Sequence, residues 1–569
     1  MTLNRTIGIL AAAIACAALP TPGLAQQISE ARIRELIAQA AERVARGDVD
    51  VQQTSQPAGA TKPTVRLTLE DAVKFALDRN LDIAVQRLNP EINDLAVASI
   101  RSVYHPSLTS TVSGASLSQL PTSQLIGGTN VVQATQTYNG GVAQSVPWGG
   151  GSYAVTLNNF RQTSNSVNVL YNPAIQSVWS GVYTQPLMRG FRTDSTRQQL
   201  QVTRVNRDIS DVQLRATITN TLSNVRNAYW DYVFAIQSVD VAQKSVDLAM
   251  KLVQDNQTRV EVGTMAPIDV VQAQSQAATA RQNLVAAQST MHTAELALKR
   301  LIVAGTQDPN WSAALDPVDR PDFRAEAIDI DAAVRRALSE RTDLDIARKN
   351  IQANDVTLKY LRDQLMPQAD LQATYGAAGI GGVQFQRASS GQLGGTATIV
   401  PGGLGDTFSS LFANNFPRWT FALNFSYPLG VSSQEASVAR ARVQLNQVQA
   451  QVKQIELQVA TDVTNAAVTA QSNAERVQAA QAARELAQKQ LEAEQSKFEV
   501  GMSTNYNVIQ SQRDLATAQN NELQAVLNYR KSLVELERLQ QTTLQNLNIT
   551  VISAGGGATG AGTTTRTGG

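Results

Sequence analysis

The sequence predicts a mixed α+β membrane protein. In it, a duplicated helix–strand–strand–helix–turn–helix unit supplies strands to a β-barrel, of about twelve strands from three chains, that is continued by a long α-helical barrel. Three observations predict it: an internal repeat over nearly the whole chain, proline-free helical stretches far longer than a globular domain uses, and a strand with one wholly apolar face.

The repeat comes first because it sets the architecture. Leu67-Thr-Leu-Glu-Asp-Ala-Val-Lys-Phe-Ala-Leu77 is echoed by Ile328-Asp-Ile-Asp-Ala-Ala-Val-Arg-Arg-Ala-Leu338, with Ala72, Val73, Ala76 and Leu77 returning as Ala333, Val334, Ala337 and Leu338. At the same offset Asp82 meets Asp343 and Pro106 meets Pro367. Each half therefore opens with a short helix, then a longer one, then a proline that begins an extended stretch. Further on, Gln185-Pro-Leu187 parallels Tyr427-Pro-Leu429, and Asp269-Val-Val-Gln-Ala-Gln274 parallels Asn507-Val-Ile-Gln-Ser-Gln512. The second set of matches lies at a shorter offset, which implies a longer β region in the first half.

The helices follow from periodicity. No proline interrupts the chain from about Asp194 to Val260, and Val239, Ala242, Val246, Ala249 and Val253, then Val260, step by threes, fours and sevens. Val202, Val205, Ile209 and Val212 do the same, and Leu445, Val448, Val452, Ile455 and Val459 answer in the second half. These are coiled-coil seams. At 1.5 Å per residue, a helix of about 65 residues is roughly 100 Å long, a length suited to crossing a compartment.

Between the helices lie the strands. Trp419, Phe421, Leu423, Phe425 and Tyr427 alternate with Thr420, Ala422, Asn424 and Ser426. That alternation suits a strand facing lipid on one side and water on the other; half of a soluble sandwich would show it too. Leu371, Ala373 and Tyr375 form a weaker partner strand, and Gly376–Asn415 is Gly/Ser-rich and predicts a long exposed loop. The first half offers Leu108–Leu117 and Ile175–Leu187, with Trp179 and Tyr183 as interfacial anchors. It also has an extra hairpin around Val146-Pro-Trp-Gly-Gly-Gly151, whose place inside or outside the barrel wall is open. Four strands cannot close a barrel, and an open sheet would leave unpaired N–H and C=O groups in hydrocarbon, so identical chains must assemble.

The ends are simpler. Residues 1–25 read as a signal peptide: Arg5, an apolar run from Ile7 to Leu19, then Gly23-Leu24-Ala25 as a cleavage site. Cys16, the only cysteine, is either a lipid acceptor or a small residue of that run. Residues 26–66 form an N-terminal extension with a short amphipathic helix at Gln27–Ala45 and a linker at Gln52–Pro63, and 548–569 a Gly/Thr-rich disordered tail. With 48 Lys and Arg against 47 Asp and Glu, and no basic stripe, no nucleic-acid partner is expected.

The sequence resembles the TolC family of outer-membrane efflux factors over roughly Leu67–Leu547. The resemblance rests on two helix–turn–helix tips, Arg259-Val-Glu-Val-Gly-Thr-Met-Ala-Pro-Ile-Asp269 and Lys497-Phe-Glu-Val-Gly-Met-Ser-Thr-Asn-Tyr-Asn507, and on Gln185-Pro-Leu-Met-Arg-Gly-Phe191 at a strand-to-helix junction. It divides the chain into a first repeat, 67–325, and a second, 326–547. The first has strands within 107–187, a long hairpin over 192–303 and a tip near 261–268. The second has strands within 368–429, a hairpin over 431–545 and a tip near 499–506. The resemblance implies a homotrimer in outer-membrane lipid with a periplasmic helical tunnel. A periplasmic adaptor would dock at Val262, Gly263, Thr264, Val500, Gly501, Met502 and Ser503, coupled to an inner-membrane pump of the RND or ABC type. Such a channel exports small molecules or proteins in an efflux or type I secretion system. Asp269, Asn507 and Gln510 are candidates for the constriction; the family often has acidic residues where Asn507 and Gln510 stand. The residues themselves leave a second class open, a periplasmic coiled-coil or surface protein without a pore.

In the tips, Gly263 and Gly501 suit a chain reversal with positive φ, Pro267 suits a first helical turn, and Thr264, Ser503 and Thr504 can cap the returning helices. His105 and His292 are the only histidines and belong to no metal-ligand or Ser/His/Asp spacing. Gly402-Gly403-Leu404-Gly405 lacks the Lys-Ser/Thr of a phosphate loop. No enzyme, cofactor or metal is expected.

Overall fold

The computed structural model describes residues 64–120, 130–166, 169–320, 323–325, 327–387, 397–430 and 432–549. The expected signal peptide, N-terminal helix and linker lie outside the described residues, as does the Gly/Thr tail from residue 550 on; its first two residues, Asn548 and Ile549, are ordered, their amides donating to the Gln545 and Leu544 carbonyls.

In chain order the elements are β1 (Thr64–Leu67), α1 (Leu69–Arg79), α2 (Leu81–Arg101), β2 (Ser107–Gln119), β3 (Val131–Ser145), β4 (Ser152–Ser164), β5 (Tyr171–Pro186), α3 (Ser195–Glu261), α4 (Pro267–Ile302) and β6 (Ala314–Pro317). Then come α5 (Ile330–Glu340), α6 (Thr342–Asp363), β7 (Gln368–Arg387), β8 (Ala397–Val400), α7 (Leu404–Phe412), β9 (Phe416–Ser426), α8 (Ser433–Glu499) and α9 (Asn505–Leu539). Side-chain caps start several of the helices. Thr68 accepts from the Asp71 amide, Asn80 from those of Asp82 and Ile83, Asp194 from Arg197, and Ser432 from Glu435. Each satisfies donors that a first turn leaves without helical partners.

The core lies among the helices. Leu222, Val225, Tyr229, Leu298 and Ile302 from α3 and α4 close on Leu67, Ala72, Val73 and Ala76 of β1 and α1. Burial pushes the Tyr229 and Tyr232 phenols well above their ordinary pKa. They serve as neutral donors, Tyr229 sharing its one proton between Asp319 at 2.9 Å and the Leu67 carbonyl at 3.1 Å, Tyr232 donating to the Leu315 carbonyl. These bonds pin the small parallel sheet β1–β6 to the long helix α3. A smaller cluster in the second half joins Ala333, Ala337 and Leu344 to Val459, Val463, Leu536 and Leu539.

The seams are where the periodicity puts them: Val205, Ile209, Val212, Val246, Ala249 and Val459 are buried.

The large sheet corrects the expected strand number. Its full-height order is β2-β3-β4-β5-β7-β9, antiparallel throughout, with β8 pairing only the far end of β7. Six long strands per chain replace the expected four, because the extra hairpin β3–β4 is inserted between β2 and β5 in unbroken register. The long loop expected at Gly376–Asn415 is also corrected: β7 runs on to Arg387, and α7 crosses the sheet after β8. The glycines there make room for packing. A Cβ on Gly379 would stand 2.1 Å from the Thr407 carbonyl oxygen, and one on Gly381 2.4 Å from the Thr407 hydroxyl. The helix lies where only a side-chain-free strand can accept it.

Candidate functional site: membrane wall and hairpin tips

Register carries the face of β9 across the whole sheet. Trp419 stands opposite Tyr375, Phe421 opposite Ala373 and Leu423 opposite Leu371. On the same face Tyr375, Ala373 and Ala377 meet Gly181, Tyr183 and Trp179 of β5, which meet Val155, Tyr153 and Leu157 of β4. Val142, Tyr138 and Gly140 of β3 follow, then Leu108, Val112 and Ser110 of β2. A shallow groove lined by Tyr153, Val155, Tyr183, Tyr375, Trp419 and Phe421 runs along this face, where Trp179 and Tyr375 pack edge to face at 5.6 Å. Trp419, Phe421, Leu423, Phe425 and Tyr427 are all exposed. The opposite face reads Thr109, Thr111, Thr137, Asn139, Thr156, Asn158, Ser180, Gln372, Thr374, Thr420 and Asn424. The sheet thus has one face with aromatic and apolar side chains and an opposite face rich in hydroxyls and amides.

The two tips form at the far end of the helical hairpins α3–α4 and α8–α9. Gly263 and Gly501 have φ of 77° and 76°, reversing the chain as expected. Pro267 opens α4. Capping divides differently from expectation. Thr504 caps α9 by accepting from the Asn507 amide, whereas Thr264 donates back to the Arg259 carbonyl and Ser503 donates to Glu494. The Lys497 ammonium first, then Ser503, holds the Glu494 carboxyl below the usual range. Val262, Val500 and Met502 are exposed at the apex, about 70% or more of each being open to solvent. Asp269 stands in the first turn of α4. Asn507 and Gln510 are exposed, donating to Ser503 and Asp514 respectively.

The tips are tied together by a buried knot the sequence reading missed. Asn256 Nδ2 donates to Asn505 Oδ1 at 2.9 Å, and Asn505 Nδ2 donates to the Asp269 carbonyl at 3.2 Å. Arg259 lies 4.5 Å over the Phe498 ring and donates to the Phe498 carbonyl. Leu252, Ala273, Phe498, Val508 and Ile509 close around them. A signal was present: Asn256 falls midway between Val253 and Val260 in the seam series, and an asparagine in a seam position fixes register at a cost in stability.

His105 is exposed, and His292 lies 3.8 Å from Glu295 on an exposed helical surface. Among the described residues no cluster of His, Cys, Asp or Glu could hold a metal ion, and no helix is long and apolar enough to cross a membrane.

An amphipathic antiparallel wall continued by helical hairpins, each with one arm of 67 residues, defines an outer-membrane channel subunit as a class. The outer membrane efflux protein family model matches residues 72–303 and 333–540, and the chain belongs to that family. Its place is the outer membrane, with the helical hairpins on the periplasmic side. Solved structures share the fold at low identity. The Campylobacter jejuni CmeC outer membrane channel is 13% identical, with a TM-score of 0.59 over 84% of this chain and 88% of its own. The open-state MtrE outer membrane channel of Neisseria gonorrhoeae is 16% identical, with a TM-score of 0.57 over 83% and 88%. The outer membrane protein VceC of Vibrio cholerae is 13% identical, with a TM-score of 0.57 over 83% and 95%. No curated protein matches the chain.

Proposed function

We propose that the duplicated chain forms a homotrimeric exit duct of a tripartite efflux or type I secretion system, a passive conduit driven by an inner-membrane pump of the RND or ABC type through a periplasmic adaptor. One observation carries the trimer: the described wall has two free edges, and an apolar helix stripe continues each. On one side, exposed Leu81, Val85, Leu88, Ile92 and Leu95 step by four and three along α2, which leads straight into the edge strand β2. On the other, the edge strand β9 leads into α8, where Ala436, Val443, Ala450 and Leu457 are exposed at seven-residue spacing. Two different surfaces that complement one another make a head-to-tail interface, which closes into a ring. The ring seals the sheet's hydrogen bonds in lipid.

In that ring the apices Val262–Thr264 and Val500–Ser503 are the adaptor's docking points. Three copies of Asp269 supply a carboxylate ring that favours cations, and Asn507 and Gln510 line the constriction with neutral amides. The test is conductance of the purified protein in planar bilayers together with its mass in detergent. A trimer that conducts, with Leu88→Asp or Ile92→Asp reducing it to non-conducting monomer and Asp269→Asn lowering the cation-to-anion permeability ratio, is expected. A well-folded native protein that never conducts would leave the coiled-coil surface-protein reading in its place.

A further inference from the structure

The hairpin β3–β4 gives the wall a property that the export reading does not require. In the wall, β3, β4, β5 and β7 are each paired on both sides within the chain, so only β2 and β9 can meet a neighbouring copy at full height. The hairpin therefore cannot stay outside a ring that those edges close. Its strands are 15 and 13 residues long, more than the 9–11 that a tilted crossing of the hydrocarbon needs. Over most of their length they follow the partition of the rest of the wall, with Tyr138, Val142, Tyr153, Val155 and Leu157 on the apolar face and Thr137, Asn139, Thr156 and Asn158 on the polar one; toward the Ser164 end, Gln136, Asn159 and Arg161 stand on the apolar face, which suits the outer rim rather than the hydrocarbon. The turn at their base is built into the wall's lower rim. Gln185 donates to the Gly149 carbonyl at 2.7 Å, and a Cβ on Gly150 would stand 2.4 Å from the Gly190 carbonyl oxygen, at the junction that starts α3.

We propose that this hairpin is a wall element that widens the exit, so that the assembled barrel has eighteen strands, six from each of three chains, and passes bulky polar solutes without regard to their charge. The proposal rests on the trimeric channel reading. At a strand spacing of about 4.8 Å and a tilt near 40°, eighteen strands give a backbone diameter of roughly 36 Å, against roughly 24 Å for twelve. Charge on the polar face is nearly absent. Asp370 of β7 and Arg418 of β9 are its charged residues among the described strands, one of each sign, while β2, β3, β4 and β5 contribute only uncharged side chains there. Such a lumen exerts almost no field on its contents. Selection by charge then belongs to the tips.

Two measurements test this. Nitroxides placed through single cysteines at Val142 and Val155, and at Thr137 and Asn158, are read in liposomes for collision with oxygen and with a water-soluble nickel chelate. Oxygen favouring the first pair and nickel the second is expected. Equal access of nickel to both pairs puts the hairpin outside the bilayer and overturns the proposal, whether or not the protein conducts. Excision of residues 121–168 removes one antiparallel hairpin and lets β2 pair β5 with every later strand unchanged in direction. Added on the barrel side, polyethylene glycols that enter the full-length channel should be excluded from the excised one, with the limiting polymer radius about one third smaller. An unchanged limit overturns the proposal. Should the excised chain not assemble, the nitroxide pattern decides alone.

Discussion

The two halves of the chain carry the same helices and different walls. Their opening helices are 11 and 11 residues, the next 21 and 22, the long ones 67 and 67, and the returning ones 36 and 35. Between them the first half places four strands, the second two full-height strands and the cross-lying helix α7. The difference shows which part of the design is constrained. Helical hairpins that pack side by side must end at one level, or seams are left without partners, so both halves are held to one length. A sheet can take an extra antiparallel hairpin without reversing any later strand, so the wall is free to grow two strands at a time.

The largest effect expected from this comparison concerns the wall's two faces. Phe421→Arg places a cation on the face read as lipid-contacting, at a cost of about 2–4 kcal/mol near mid-membrane. Thr420→Arg, one residue away on the polar face, should cost less than about 1 kcal/mol. Urea unfolding in lipid vesicles measures both. Equal costs would dissolve the distinction between the faces and, with it, the membrane reading of the sheet.

Next comes the helix that only the second half possesses. Gly379→Val forces a side chain into the backbone of α7, where overpacking costs about 1–3 kcal/mol or displaces the helix. Gly114→Val in the first-half edge strand β2 meets nothing within 4 Å and should be neutral within about 0.5 kcal/mol. A silent Gly379→Val, by thermal denaturation of the assembled protein, would show that α7 does not lie on β7.

How far this asymmetry was legible depends on the kind of signal. Helix length, the two tips and the alternation at Trp419–Tyr427 are local, because period and turn chemistry are written into consecutive residues. The place of β3–β4 is not, because alternation tells a strand's faces and says nothing of its hydrogen-bond partners. The glycines at Gly376, Gly379, Gly381 and Gly382 suggested a loop, since a glycine that admits a neighbour's backbone and one that loosens a turn look alike until the neighbour is seen. Likewise Asn256 was visible as a polar interruption of a seam, yet its partner Asn505 lies 249 residues away.

A smaller contrast sits where the first two helices of each half meet. Asn80 caps α2 with two amide bonds and donates to the Leu301 carbonyl. Arg341, at the matching place, caps nothing; it pairs with Asp343 at 2.6 Å and reaches Asp462 at 3.8 Å. One half uses hydrogen bonds and the other charge. Asn80→Ala should cost about 0.5–2 kcal/mol regardless of salt. Arg341→Ala should cost about 0.5–1 kcal/mol at low ionic strength and less at molar salt. Denaturant midpoints at two salt concentrations separate them.

The smallest expected effect also belongs to the first half, where Arg79 at the end of α1 reaches Asp308. The Asp308 carboxylate accepts from the Asn310 amide at 2.9 Å, from the Ala304 amide at 3.4 Å and from Arg79 at 3.1 Å. The Asn310 amide is the main cause that holds its pKa below the ordinary 3.8, with Ala304 and Arg79 adding to it against the opposing effect of burial. Folding therefore favours the charged form. The stabilisation is fully present above the unfolded pKa and is lost as pH falls through the lower folded value. Asp308→Asn should be less stable than the native chain at neutral pH, by about 0.5–1 kcal/mol. The two should converge as pH drops below 3.8, because the native chain then loses the same charge. Unfolding midpoints between neutral pH and pH 2 follow the convergence. A gap that stays constant to the acid limit would mean that Asp308 holds this turn by shape alone, and that charge is used at the helix junction of the second half only.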